Sequence, residues 1–188
     1  MAISLTMDAF SIMEPFRNNW YAVQIALPTI LGSTNSSDLE NSLTIACHSC
    51  TTPSITTDEQ EMHRINDRVY VPGKSSYGTI DLSFYECIKV TDSNPYTPAG
   101  EILFNWQTLI HNPATGQQNY KKDTAGNAII AQFDGLGNIV RTWNIYSCWP
   151  TNVKFGDLDA TNGDVQSVTA TLRFDWTNLN SYSVSSTK

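Results

Sequence analysis

Two stretches of this chain alternate apolar and polar residues with a period of two. That period demands a strand with one buried and one polar face. Over 168–176, Val168, Ala170, Leu172, Phe174 and Trp176 oppose Thr169, Thr171, Arg173 and Asp175. Over 79–90, Ile80, Leu82, Phe84, Ile88 and Val90 oppose Thr79, Asp81, Ser83, Tyr85, Cys87 and Lys89, while Glu86 falls on the apolar face and marks the end of burial. Shorter alternations predict strands over 20–27 (Tyr21, Val23, Ile25, Leu27) and 43–48 (Leu43, Ile45, Cys47), the latter broken by Pro53. Ala128–Phe133 and Ile139–Cys148 flank Asp134-Gly135-Leu136-Gly137-Asn138, a hairpin signal. Arg68 to Val71 reads as a short strand, ended by a turn at Pro72-Gly73.

One segment has a different period. After Asn94-Pro95-Tyr96-Thr97, the residues Ile102, Leu103, Trp106, Leu109 and Ile110 recur at helical spacing. Thr97 is placed to cap the first amides, Pro98 suits the first helical position, and Glu101 meets the positive end of the dipole. His111 lies near the negative end, and Asn112-Pro113 stops the helix. The polar stretches 32–42, 54–67 and 157–164 read as loops, 54–67 being long and exposed. The fold class expected is mainly β (α+β), an antiparallel β-barrel or sandwich with one helix packed outside. A single domain covers 1–188, with a loose N-terminal arm (1–14) and a loose Ser- and Asn-rich tail (177–188).

Charge narrows the function classes. Charged residues make up only 15% of the chain, against roughly 25% in ordinary soluble domains, so partners are expected to cover much of the surface. The net charge of -7 opposes tight phosphate binding. The small basic groups at Tyr120-Lys121-Lys122 and Arg64 to Arg68 do not amount to a nucleic-acid face. The first basic residue is Arg17, so no charged segment precedes an apolar stretch as in an export signal, and no apolar run approaches a membrane span. Cys47, Cys50, Cys87 and Cys148 are therefore expected as reduced, mostly buried thiols.

Candidate chemistry fails on spacing. Cys47-His48-Ser49-Cys50 is the one cluster of metal-ligand types, but a regular strand points positions 47 and 50 to opposite faces, and no second pair completes a tetrahedral site. His48, His63 and His111 sit in no nucleophile motif. Gly135-Leu136-Gly137 has hairpin rather than dinucleotide spacing, and Asp157, Asp159 and Asp164 lack the terminal Glu of a calcium loop. No catalytic residue, metal or cofactor is expected.

The residues resemble one family. Trp149-Pro150-Thr151-Asn152-Val153, followed by an alternating strand ending in Asp175-Trp176, resembles the C-terminal half of tail tube proteins of T-even-like contractile phages. Pro15-Phe16-Arg17-Asn18-Asn19 before the first strand, Cys47 six residues before Pro53, Phe104-Asn105-Trp106-Gln107 and Tyr120-Lys121-Lys122 match in order. Departures are a longer 28–42 loop, longer 113–119 and 134–138 segments, and an extension past Trp176.

The resemblance implies a virion tail protein, assembled in the host cytoplasm, with no enzymatic role. Six subunits close a ring whose strands form one inner β-barrel, and rings stack into a tube inside a contractile sheath. The implied partners are further copies, the tail sheath protein, the baseplate tube initiator, the tail terminator, and double-stranded DNA passing without specific binding. No membrane partner is implied. Asp81, Ser83, Thr169 and Thr171, from the polar faces of the two clearest strands, are the lumen candidates, with Arg173 either paired to a carboxylate such as Asp175 or near the barrel end. Thr57, Asp58, Glu59, Gln60, Glu61, Met62 and Arg64 are the inter-ring stacking candidates. Alternatives are a baseplate or tube-initiator subunit, a receptor-binding β-module, a relative in a type VI secretion or other phage-derived injection tube, and, ranked last, a hydrolase.

Overall fold

A computed structural model of the chain describes residues 16–31, 36–88, 96–161 and 163–182. Nine strands and three helices follow in the order β1 (Tyr21–Ala26), α1 (Ser36–Ala46), β2 (Cys47–Cys50), β3 (Ile55–His63), β4 (Arg68–Tyr77), β5 (Thr79–Tyr85), α2 (Ala99–Ile110), α3 (Lys121–Thr124), β6 (Gly126–Phe133), β7 (Ile139–Phe155), β8 (Ser167–Arg173) and β9 (Trp176–Ser181). All pairings of these strands are antiparallel.

Two long hairpins organise the molecule. In the first, β7 pairs along one side with β8 (Phe155↔Val168 to Trp149↔Arg173) and then with β9 (Tyr146↔Trp176 to Arg141↔Ser181). Both strands bend at the same level. Ser147 takes a left-handed backbone (φ 54°), and Phe174-Asp175 interrupts β8 and β9. The bend carries the hairpin from a β1-β6-β7-β9 sheet into a β7-β8-β5-β2 sheet. The result is a sandwich joined at one corner, and within one chain it does not close into a barrel.

The second hairpin is the β2–β5 ladder, which continues through the Thr51 amide donating to the Asp81 carbonyl and the Gly78 amide to the Ser54 carbonyl, into β3–β4. Residues 54–67, expected as a loop, are thus mostly a strand. β4 likewise runs straight through Pro72-Gly73, where a turn was expected. A register shift between Thr57 and Glu59 absorbs the irregularity opposite Pro72. The β3–β4 arm is a separate two-stranded sheet, and every residue of β3 is exposed. Hidden from sequence periodicity for that reason, it is held by cross-strand pairs such as Thr57 Oγ1 with Ser75 Oγ (2.9 Å) and Arg68 with Glu61 (3.0 Å).

Inward faces of both sheets meet two helices in one core. Val23, Ile25, Ile80, Leu82, Phe84, Ile130, Ile145, Val168, Ala170 and Leu172 surround Trp106, Leu103 and Ile102 of α2 and Leu43 of α1. Trp106 is fully buried, and its Nε1 donates to the Thr124 carbonyl (2.8 Å). The expectation of one helix is corrected by α1. Leu39, Leu43 and Ala46 turn inward at helical spacing, and Ile45, expected inward on a strand, is 78% exposed.

At α2 the expected cap is also replaced. Pro98 is the cap residue and makes no side-chain bond, while Glu86 Oε2 accepts from the Gly100 amide (2.9 Å). Glu86 therefore ends β5 and caps the helix. The 79–90 strand stops at Tyr85, Ile88 is exposed, and Val90 lies outside the described residues. The loose tail is corrected over 177–181, where β9 pairs with β7, and Trp176 is half exposed rather than buried. The loose arm 1–14 lies outside the described residues.

Trp106→Ala should lower unfolding free energy by about 3–5 kcal/mol, read by urea denaturation. Glu86→Ala should remove about 1 kcal/mol, as expected for a lost cap, with the native fold retained by circular dichroism.

Candidate assembly surfaces

The polar face of the β2-β5-β8-β7 sheet brings the four lumen candidates together. Asp81 pairs with Thr171 and Ser83 with Thr169 across β5 and β8. Thr171 Oγ1 donates to Asp81 Oδ1 (2.7 Å), and Thr151 Oγ1 donates to the Thr171 carbonyl (3.0 Å). Asn152 and Lys154 continue the rows on β7, opposite Thr171 and Thr169, and Ser49 lies beside Ser83. The Trp149–Val153 motif is therefore the β7 segment just past the corner.

Of the two expectations for Arg173, the pairing with Asp175 is corrected, and Arg173 is the last residue of β8. Both Asp175 oxygens accept from Lys121 Nζ, which also lies 4.5 Å from the centroid of the Trp149 ring. Asp175 sits beyond the end of β8, so it no longer shares the face of Arg173. The rows of this face hold one carboxylate (Asp81) and two cations (Lys154, Arg173) among hydroxyls and an amide. The surplus acid of the chain lies elsewhere.

Part of that acid lies on the arm. The stacking candidates Thr57, Asp58, Glu59, Gln60, Glu61 and Met62 are on β3, and Arg64 lies in the turn between β3 and β4. At roughly 3.3 Å per residue, this nine-residue strand reaches roughly 30 Å beyond the sheet. A lone two-stranded hairpin is marginal in water, so the arm calls for a partner surface.

Sheet edges are the third assembly feature. β9 and β1 flank one sheet, and β2 and the 149–155 half of β7 flank the other, each with one side free of strand partners among the described residues. Trp176, Leu179 and Tyr182 stand half exposed along or beside β9, with Trp176 stacked on Tyr146 (4.0 Å between centroids). Open edges of this kind template pairing with another chain.

Between β1 and β2 the sheets leave a seam, a cleft of about 340 Å³ lined in part by Asn18, Tyr21, His48, Cys50, Gln132 and Trp143. Here the structure overturns the argument that positions 47 and 50 point apart. A bulge between Cys47 and Ser49 sets Cys47 opposite Phe84 and Cys50 opposite Leu82, so both thiols pack toward the core. His48 instead stacks on Tyr85 on the polar face (4.1 Å). Burial pushes the Cys47 thiol up to about 12, with Cys50 adding to the rise, and burial raises Cys50 as well. Protonated thiols are poor metal ligands and poor nucleophiles. Among the described residues no group of three or more His, Cys, Asp or Glu is placed to hold a metal.

The fold has close counterparts among solved structures. A chain from the sheath–tube complex of an extracellular contractile injection system (PVC, extended state) superposes with a TM-score of 0.65 at 18% identity, covering 95% of this chain and 100% of its own. A chain from the tube-terminating cap of the anti-feeding prophage gives 0.65 at 17% identity, covering 97% and 100%. One from that particle's baseplate gives 0.65 at 16%, covering 90% and 97%. No curated protein matches the sequence. The sandwich fold is the one this chain shares with these injection-system chains. The chain belongs to the phage tail tube protein family, which it matches over residues 16–179, and it is a structural subunit of a tail tube.

Cys50→Ser should keep the melting temperature of the parent chain in the presence of a chelator. Stoichiometric zinc in protein purified without added metal would contradict the thiol assignment.

Proposed function

We propose that this subunit closes rings of six copies and that the rings stack head to tail into the conduit of a contractile virion tail. The observation that carries the reading is the arm. It prolongs the β2–β5 ladder beyond the body, is anchored at its base by Tyr77 beside Phe174, leaves every residue of β3 exposed, and as a lone two-stranded hairpin needs a second surface. The open edges support ring closure, because a heterologous contact that closes removes them. The arm, with Thr57 to Met62 and Arg64, supplies stacking. The structural counterparts come from a sheath–tube complex, a baseplate and a tube-terminating cap, which supports a sheath around this tube, an initiator below and a terminator above. The role is structural, not catalytic, with assembly in the host cytoplasm. A position in the baseplate is the second reading, favoured by the equal TM-score of 0.65 to the baseplate chain.

In this reading the Asp81–Thr171 and Ser83–Thr169 face lines the bore. A conduit for DNA must not hold it, since each phosphate neutralised by Lys or Arg adds affinity through counterion release. Hydroxyls and an amide with Asp81 against Lys154 and Arg173 leave this face one net positive charge per copy, few cations with which to hold the phosphates.

Concentrated protein should form rings or tubes of uniform diameter by negative-stain microscopy, whereas a clean monomer by light scattering at every concentration and salt would refute the reading. Replacing residues 60–71 by a tight Asn-Gly turn should leave a folded, soluble subunit, because loop length costs little, while abolishing long tubes. Normal tubes from that variant would show that stacking uses another surface. Asp81→Lys with Thr171→Lys should slow genome ejection at unchanged tube length, the slowing easing as salt rises. Ready modification of positions 81 and 171 in intact tubes by a reagent too bulky for the bore would place them outside.

A further inference from the structure

The tip of the arm has a chemistry of its own. Ile65 is fully exposed (100%) at the turn, which the Arg64 amide closes by donating to the Asp67 carbonyl (2.8 Å). Asp67 Oδ1 accepts from the Arg68 amide, and Arg68 is paired with Glu61. Arg64 is left with no ion pair among the described residues. The tip is an apolar knob with the Arg64 cation on one side and, on the other, the Asp67 carboxylate held by the Arg68 amide.

A complementary surface lies at the opposite end of the body. β5 starts beside the arm at Thr79 and ends at Tyr85, opposite Ser167. There the Glu86 amide donates to the Gln166 carbonyl, and the Gly156 amide to the Ser167 carbonyl. Phe155 approaches Gly100 of α2, and its ring centroid lies 6.4 Å from that of Phe104. Phe104, Phe155 and Leu158 are 54%, 43% and 86% exposed. Glu101, Asp157 and Asp159 belong to the same end, all exposed, and Asp159 is held below the usual carboxylate range by the Thr161 amide and hydroxyl. Lys154, the nearest cation along the chain, belongs to the polar face beside Thr169. An exposed apolar patch rimmed by carboxylates marks a contact site.

We infer that the arm tip of one copy docks on the Phe104–Phe155–Leu158 surface of a copy in the next ring, with Ile65 against the apolar side chains and Arg64 against the carboxylates. The occupant is a second copy because knob and patch match in both polarity and charge. They also lie at opposite ends of the β2–β5 ladder and its arm, so head-to-tail stacking brings each tip to the next patch in a heterologous contact that repeats. The inference rests on the stacking role proposed above and specifies its receiving surface.

The test uses the full chain with Cys87→Ser, which removes an exposed thiol. Ile65→Cys and Leu158→Cys variants are co-assembled with an excess of that parent, so that tubes form whatever the variants do alone, and are then mildly oxidised. Tubes holding both variants should yield a covalent dimer that is absent from tubes holding either one. No such dimer, or a dimer between Ile65→Cys and a Thr169→Cys control instead, overturns the inference while the stacking role stands. Normal tubes from the arm-shortened chain would sink the stacking role itself. Maleimide labelling of Leu158→Cys should be suppressed in bare tubes relative to free subunits. Labelling that falls only when a second protein coats the tube assigns the patch to an outer partner and overturns the inference. Arg64→Asp should lower tube yield, and adding Asp157→Arg and Asp159→Arg should restore it. Failure of that rescue in a folded protein removes the charge half of the contact.

Discussion

The bend in the β7/β8–β9 hairpin is the constraint on which the rest of the structure depends. Two hydrogen-bonded strands can change sheets together only if both depart from extended geometry at one level. Ser147 does so with a φ of 54°, its amide donating to Asn127 Oδ1 of β6. Opposite it, Phe174 turns into the core and Asp175 is drawn to Lys121. The left-handed conformation costs a serine about 1–2 kcal/mol, and the surroundings hold it there. Lys121 lies over Trp149 on one side of the corner, and Tyr146 stacks on Trp176 on the other. The bend lets the inward faces of both sheets share Trp106 and Leu103. It also leaves the far side unjoined, so the geometry that makes the core leaves the edges open.

The second hairpin gives the body a direction. The β2–β5 ladder runs on into the arm, so the subunit has a tip at one end and the Phe155–Leu158 surface at the other. Charge follows that axis. Asp58, Glu59 and Glu61 lie on the arm, and Glu101, Asp157 and Asp159 at the far end. The rows between them hold Asp81 against Lys154 and Arg173. The net charge of -7 therefore says little about the wall that DNA would meet.

What was legible in the sequence was the longer elements with one buried face. β5, β8, the β6–β7 turn and the α2 stripe follow their periods, and the turn closes as expected, with Asp134 accepting from the Leu136 and Asn138 amides and Gly137 at a φ of 87°. Leu43, Ile45 and Cys47 misled because so short an apolar run fits either period, and Leu39 and Ala46 settle it as a helix. The arm and β9 were hidden for a shared reason: their partners, not a buried face, make them strands. Among site residues, the shared face of Asp81, Ser83, Thr169 and Thr171 could be read from alternation, and their register could not. The bulge at His48 broke the one deduction that assumed regular geometry. Asp175 escaped its expected partner because the strand ends before it.

A solitary domain with this surface would be poorly made. Its exposed large apolar side chains include Ile65 at the arm tip, Phe104, Phe155 and Leu158 at the far end, and Trp176, Leu179 and Tyr182 along the β9 edge. Scattered singly, such residues need no explanation. Others, such as Ile45, Ile129 and Leu136, are scattered in this way, but these seven sit at a projecting tip, at the end opposite it, and at an unpaired strand, which are the places where a repeating assembly would make its contacts. The low share of charged residues, 15%, fits the same account. Charges keep free monomers apart, and a subunit whose tip, far end and edge are all to be covered has less surface on which to carry them.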